Sequence, residues 1–210
     1  MVERETLIDK ISKHPKIWLL VALAAAMLLI VSGIIGLLPG DKVNAAETEN
    51  APVRSRAEGI AVEMDENSYF EKRNTFCRYL PTGVEYFYFV YTDDGAGVFV
   101  RAEKDFGKDL EKQGSLAIKG VTANFSDDEK GFVNDSLAID ESKFIDLIWQ
   151  KLFLLRIFAG ALLAVTAVLG VLLVKQVVSA EKKLYGVLNL IFCTLPFVSA
   201  GLVIYLVGYI

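Results

Sequence analysis

The chain has 210 residues, of which 53% are apolar, with a mean hydropathy of +0.41 and a formal net charge of −4. That is too apolar for an ordinary water-soluble domain. The excess lies in three runs, Ile17 to Leu38, Leu152 to Val174 and Leu184 to Ile210, so a wholly soluble enzyme and a large multidomain machine are both excluded.

Charge is divided by region. Between Asp41 and Asp146 there are 22 acidic and 13 basic residues, a net of −9, and the rest of the chain has 9 basic and 4 acidic, a net of +5. An acidic middle argues against nucleic acid as a partner, because phosphate binding needs a basic stripe to release counterions. Basic flanks beside apolar runs fit the lipid bilayer instead.

Residues 1–16 read as a basic cytoplasmic N-terminus, a short helix with Leu7, Ile8 and Ile11 on one face. His14 is the only histidine, which excludes a histidine-rich metal site within one protomer. Residues 17–38 form the first expected transmembrane helix, since about 20 apolar residues at 1.5 Å each cross a hydrocarbon core about 30 Å thick. Val43-Asn44-Ala45 before Ala46 resembles a signal-peptide cleavage site. The apolar run is longer than a signal h-region, so the reading is an uncleaved anchor, with cleavage at Ala45/Ala46 as the alternative.

Residues 39–58 are polar, lack aromatics and contain Pro52, and they predict a linker. Residues 59–151 predict a β-rich domain. Gly59 to Met64 is a short strand, and Phe70 to Leu80 fits strand or helix. Val84 to Tyr91 and Gly97 to Ala102, joined through Asp93-Asp94-Gly95, are a hairpin, because glycine accepts the positive φ of a tight turn. Tyr86, Tyr88 and Val90 share one face of the first hairpin strand and Phe87, Phe89 and Tyr91 the other. Both faces are apolar or aromatic, which predicts a central strand covered on both sides. Lys104 to Gln113 reads as a short helix pairing Phe106 with Leu110, and Ser115 to Phe125 as a strand with a bulge at Gly120. A turn from Ser126 to Gly131 leads to a further strand, Phe132 to Ile139. Asp140 to Gln150 then reads as helical, with Phe144, Ile145 and Ile148 inward.

Residues 152–174 and 184–210 are the second and third expected spans, with 175–183 a cytoplasmic loop. Arg4, Lys10, Lys13 and Lys16 precede the first span, and Lys175, Lys182 and Lys183 lie between the other two. Lysine and arginine bias stations both segments inside, so residues 39–151 and the C-terminus are expected outside the plasma membrane. Small residues at four-residue spacing (Ala22 and Ala26, Ser32 and Gly36, Gly160 and Ala164, Thr166 and Gly170) predict packing among the spans, with homo-oligomerisation as the alternative. Within the third span only Asn189, Thr194 and Ser199 are polar, and Pro196 predicts a kink.

Chemistry is sparse. Cys77 reads as a buried small hydrophobe or a linking thiol, Cys193 lies within the third span, and no CxxC occurs. Asp93-Asp94 and Asp127-Asp128-Glu129 lack the spacing of a calcium loop. Asn124-Phe125-Ser126 and Asn134-Asp135-Ser136 fit the glycosylation triplet, which matters only in a eukaryotic lumen. The sequence points to no cofactor, metal or catalytic residues.

The hairpin, the short helix and the strand SLAIKGVTANF with its Lys119-Gly120-Val121 resemble the strand-helix-strand rhythm of extracytoplasmic OB-fold-like domains. The whole chain is similar to bacterial membrane proteins of uncharacterised function that hold one small β domain between an N-terminal anchor and a C-terminal helical hairpin. The resemblance covers residues 59–139. It implies a binding or assembly module rather than a catalyst, and supplies no functional residues.

The expected architecture is therefore three transmembrane helices with a small, OB-like, β-barrel-like extracytoplasmic domain. The expected role is noncatalytic binding, sensing or assembly with a membrane or envelope protein. Tyr86, Tyr88 and Arg101 are the candidate partner-binding surface. The alternatives are an accessory subunit of a transporter or channel, and an envelope enzyme using carboxylates.

Overall fold

The computed structural model describes residues 15–76, 79–137, 139, 141–174 and 183–207. In chain order the elements are α1 (Pro15–Gly36), β1 (Lys42–Asn44), a 3₁₀ turn (Ala45–Glu47), β2 (Arg56–Phe76), β3 (Leu80–Thr92), β4 (Gly97–Ala102), α2 (Phe106–Gln113), β5 (Leu116–Asn124), α3 (Asp127–Leu137), β6 (Lys143–Asp146), α4 (Trp149–Val174) and α5 (Lys183–Val207). They divide into two compact units. One contains the described residues of 1–35 and 153–207, and the other contains residues 36–152.

The first unit is helical. Among the described residues two helices are long and apolar enough to cross a membrane, over Leu19–Gly36 and Trp149–Leu172. In α5 the apolar stretch among the described residues is shorter, Leu190–Leu206. Leu20, Leu28, Val165 and Phe197 are exposed. Small residues let the helices approach closely. A side chain added at Gly160 would come within 2.8 Å of the Ala26 carbonyl, and one at Gly33 within 3.0 Å of the Phe153 carbonyl. The Ser199 hydroxyl donates to the Ala159 carbonyl at 3.2 Å, joining α5 to α4. Pro196 lies inside α5. His14, Cys77 and the loop from 175 to 182 lie outside the described residues, and so do the readings made of them.

The second unit is a mixed sheet of six strands among the described residues, in the order β1-β2-β3-β4-β6-β5. β2 pairs twice. Arg56 to Ala61 lie antiparallel to β5, and the rest of the strand lies antiparallel to β3. Pairing from β2 through β3, β4, β6 and β5 therefore returns to β2. β4 and β6 are the parallel pair within this ring, and α2 connects β4 to β5. A 21-residue strand can serve two neighbours because its register shifts between Ala61 and Glu63 and again between Met64 and Tyr69. Such irregularities bend a strand and increase its twist.

The hairpin of β3 and β4 forms as the sequence predicts. The Thr92 amide donates to the Ala96 carbonyl at 2.9 Å, and Gly95 takes a φ of +83°. β3 is covered on both faces. On one, Tyr88 and Val90 join Val98, Val100, Ile118 and Ile145. On the other, Phe87 and Phe89 join Phe70, Phe99, Phe125 and Phe144.

Four local expectations are corrected. The segment read as a linker is part of the sheet: β1 pairs parallel with β2, and Ala45, Ala51 and Ser55 are buried. Its short apolar residues are what fit, since a side chain at Gly59 would meet the Ala45 Cβ at 2.7 Å. Of the strand expected at Phe132 to Ile139, Phe132 to Leu137 belong to helix α3. Ser126 stands before it, with its hydroxyl and amide both donating to Glu129 Oε2 at 2.6 Å, and acidic residues fill the first turn. Ser-x-x-Glu is a helix-start signal that outweighs the apolar residues after it. The helix expected from Asp140 is β6 until Asp146, because the adjacent residues Phe144 and Ile145 are buried on opposite faces of the sheet. Gly120 makes no bulge. It keeps regular register with Ala57, and its place is set by close approach, since a Cβ there would fall 2.6 Å from the Asp146 carbonyl. Backbone cannot yield as a flexible side chain does, so Gly120→Ala is expected to cost about 1–3 kcal/mol, read by chemical denaturation of the full chain in detergent.

Glu129 supplies a pH prediction. Burial works against its ionised form, but the Ser126 hydroxyl and amide and the Lys72 ammonium at 3.0 Å outweigh burial and hold it below its ordinary value. A carboxyl lowered in the folded state contributes stability above its unfolded value of 4.5 and loses it as pH falls through the folded value. Glu129→Gln is expected to lower stability at neutral pH and to flatten the acid side of the stability profile. A profile parallel to wild type would contradict this assignment.

Candidate functional site

The sheet places one cation and two carboxylates inside its aromatic face. Arg101 on β4 stands opposite Phe87 on β3 and beside Asp146 on β6. Its Nη1 donates to Glu85 Oε2 at 2.6 Å, and its Nη2 donates to Asp146 Oδ2. All three side chains are buried. The guanidinium carbon lies 5.4 Å from the centroid of the Phe144 ring. Burial disfavours the charged guanidinium, but Asp146 and Glu85 outweigh it and hold Arg101 above its ordinary range. Coulombic attraction is strong in such surroundings because little water screens it.

The network continues at both ends. Asn74 Nδ2 on β2 donates to Glu85 Oε1 at 2.6 Å. Asp146 Oδ1 accepts from the Ile148 amide at 3.0 Å, and the Leu147 amide donates to the Arg101 carbonyl at 2.9 Å. A line of hydrogen bonds thus runs from the β2–β3 hairpin, through Arg101, to the residues that immediately precede α4. Both carboxylates and the two terminal nitrogens of the guanidinium are engaged, while the buried Arg101 Nε has no hydrogen-bond partner among the described residues, so the arrangement fixes geometry. It presents no unengaged acid-base pair to solvent.

The three residues expected to form a partner surface do not share one. Tyr86 and Tyr88 lie on one face of β3, and Arg101 belongs to the opposite face of the sheet. Tyr88 is buried in the core, where its hydroxyl donates to the Lys104 carbonyl at 2.6 Å, and burial pushes its pKa up to about 12. Tyr86 is half-buried against the same core. The correction follows from pairing: β3 lies between β2 and β4 with side chains packed on both of its faces.

Sequence reasoning missed Glu85, Asp146 and Asn74. For Glu85 and Asp146 the signal is an isolated charge within an apolar strand, as in VEYFYFVY and FID, matched by Arg101 in GVFVRA, whereas Asn74 in EKRNTF carries no such signal. Lone charges of opposite sign in neighbouring central strands need one another, because an uncompensated buried charge is costly.

Two open clefts lie on this unit. One of about 630 Å³ is lined by Lys42, Asn44, Glu58, Asp93 and Lys119 among others. The other, about 480 Å³, is lined by Glu103, Asp105, Phe106, Asp109, Ile148 and Lys151 among others. Among the described residues no group of three or more histidine, cysteine or acidic side chains is placed to hold a metal ion.

Comparison with known proteins finds no matching family model, no matching curated protein and no matching solved structure. What defines the class is therefore the architecture: a mixed, two-faced β unit bounded in sequence by apolar helices.

Proposed function

We propose that the chain is an integral plasma-membrane protein with three spans that displays a small OB-like β barrel on the outer side of the bilayer. There the barrel serves as a noncatalytic module for sensing or assembly with a membrane or envelope protein. The observation that carries this reading is the insertion of one acidic β unit between α1 and α4, the two helices long and apolar enough to cross a membrane. Tethering at both ends keeps the unit near the lipid surface, which favours partners that are themselves membrane-bound or anchored in the envelope.

The OB-like assignment draws support from topology. Numbering the ring strands β2, β3, β4, β5 and β6 as one to five gives the order 1-2-3-5-4-1, with strands three and five parallel and a helix between three and four. A five-stranded, partly open Greek-key barrel of this kind is a binding scaffold. A fold of this type hosts many roles, so function rests on the site. Here the buried charges are spent on holding strands together rather than on open chemistry. The third span, α5, is supported by its 25 helical residues and by its hydrogen bond to α4.

Orientation is tested with reporters fused at positions 100 and 178. In intact cells the first is expected to be digested by external protease and the second protected. The reverse would invert the topology and remove the envelope-facing role. Crosslinking from exposed positions of the β unit in native membranes is then expected to capture a different membrane or envelope protein. Capture of identical subunits alone would count against a heterologous partner.

A further inference from the structure

β2 has neighbours on both sides only at its start. Arg56 to Ala61 pair with β5, and past Ala61 the strand keeps β3 on one side but, among the described residues, meets no strand on the other. From Tyr69 to Asn74 its pairing with β3 runs in regular register, so six consecutive residues are extended and present a second row of backbone donors and acceptors. An open edge of this kind is a template for a further strand. The two faces of the segment differ. Lys72 and Asn74 are turned inward, to Glu129 and Glu85. Glu71, Arg73 and Thr75 alternate with them and are exposed.

The exposed row carries one acid and one base rather than a repeated sign. Glu71 accepts from the Tyr69 hydroxyl at 2.5 Å through Oε1, and Arg73 makes no ion pair among the described residues. A second copy is the partner that this row fits. Two identical strands pair antiparallel about a twofold axis only with one residue opposite its own counterpart, because residues paired across a sheet share a face. With Lys72 at the axis, Glu71 of each copy stands opposite Arg73 of the other, so the exposed row gains two ion pairs. Glu71 or Arg73 at the axis would instead set like charges directly opposite each other, and Phe70 or Asn74 there would leave the row without an ion pair. The two Lys72 residues meet on the inward row, where each ammonium already has Glu129 Oε1 at 3.0 Å.

We propose that the open edge of β2 pairs antiparallel with the same edge of a second copy of the chain, in the register centred on Lys72. The result is a twofold dimer in which the sheet of one β unit continues into the other. The proposal lies within the β unit and goes beyond the functional reading above, since a heterologous partner binds at surfaces that the pairing leaves open.

The test uses the full chain at high dilution in phosphatidylcholine vesicles. Lys108→Cys on α2, exposed and off the paired edge, carries donor or acceptor dye in a background with Cys77→Ser and Cys193→Ser. Energy transfer between copies reports association. Glu71→Arg and Arg73→Glu are each expected to raise the dissociation constant about tenfold, because two attractive cross-strand pairs become repulsive. Mixing Glu71→Arg copies with Arg73→Glu copies is expected to restore the transfer, because both ion pairs re-form in the mixed dimer. No transfer in the starting protein would overturn the proposal. Equal transfer in the starting protein and both variants would overturn it too, and would place the association elsewhere, as between spans. Loss in each variant without recovery on mixing would also overturn it, since a disturbed strand rather than a lost pair would then be the cause.

Discussion

Replacing Arg101 with methionine is expected to destabilise the β unit by about 3–5 kcal/mol, enough to unfold a marginally stable domain. The reason is asymmetric. Arg101 bridges Glu85 and Asp146, all three buried, and its removal leaves two carboxylates without a cation inside an aromatic face. Arg101→Lys keeps the charge but offers a single ammonium point in place of a planar fork, so it is expected to recover only part of the loss. The triple variant Arg101→Met, Glu85→Gln, Asp146→Asn is expected to be more stable than Arg101→Met alone, because neutral amides carry a smaller desolvation cost than stranded carboxylates. Asparagine at 146 also retains an oxygen for the Ile148 amide. Denaturant unfolding of the full chain in detergent gives the energies, and hydrogen exchange localises them. Loss of protection in β3, β4 and β6 is expected, with α1 and α4 protected as before. A triple variant no better than the single one would show that ionic compensation is not what Arg101 supplies.

Legibility of this fold in the sequence follows from how local its causes are. The β3–β4 hairpin was readable because a turn glycine and two alternating runs lie within a few residues. The helix α2 was readable because Phe106 and Leu110 sit one turn apart, and indeed both pack on the core. α3 was also local, since the Ser126 and Glu129 pair announces a helix start, but the apolar residues after it drew the reading towards strand. β6 was not local. Phe144 and Ile145 fit one face of a helix about as well as two faces of a strand, and only the neighbours β4 and β5 decide between them. The same holds for the segment before β2, whose alanines look featureless until packing against the sheet buries Ala45 and Ala51. The candidate site was legible in one member. Arg101 is a candidate from the sequence, but as part of a partner-binding surface rather than of a buried ion network, and its partners come from residues 16 and 45 positions away. Sequence distance conceals such pairs, and strand order reveals them.

Phe87→Ala is the second large effect, expected at about 3–5 kcal/mol. Phe87 is fully buried, stacked on Phe70 at 4.6 Å between centroids and set edge-on to Phe144 at 5.2 Å, with Phe125 at 5.7 Å. It therefore joins β2, β6 and the residue that follows β5, and its truncation leaves a cavity where three rings lose a common neighbour. Phe87→Leu fills most of that space and is expected to cost less, about 1.5 kcal/mol or below if the site repacks. Tyr88→Phe on the opposite face keeps its ring and loses the hydroxyl's bonds to the Lys104 carbonyl at 2.6 Å and the Glu103 carbonyl at 3.4 Å, for about 1 kcal/mol. The contrast tests the two-sided strand directly. If β3 were covered on one face alone, one of these adjacent rings would be open to solvent and its substitution nearly silent. Two distinct losses at neighbouring positions, with loss of exchange protection reaching α3 for Phe87→Ala and α2 for Tyr88→Phe, are what a sheet packed on both sides requires.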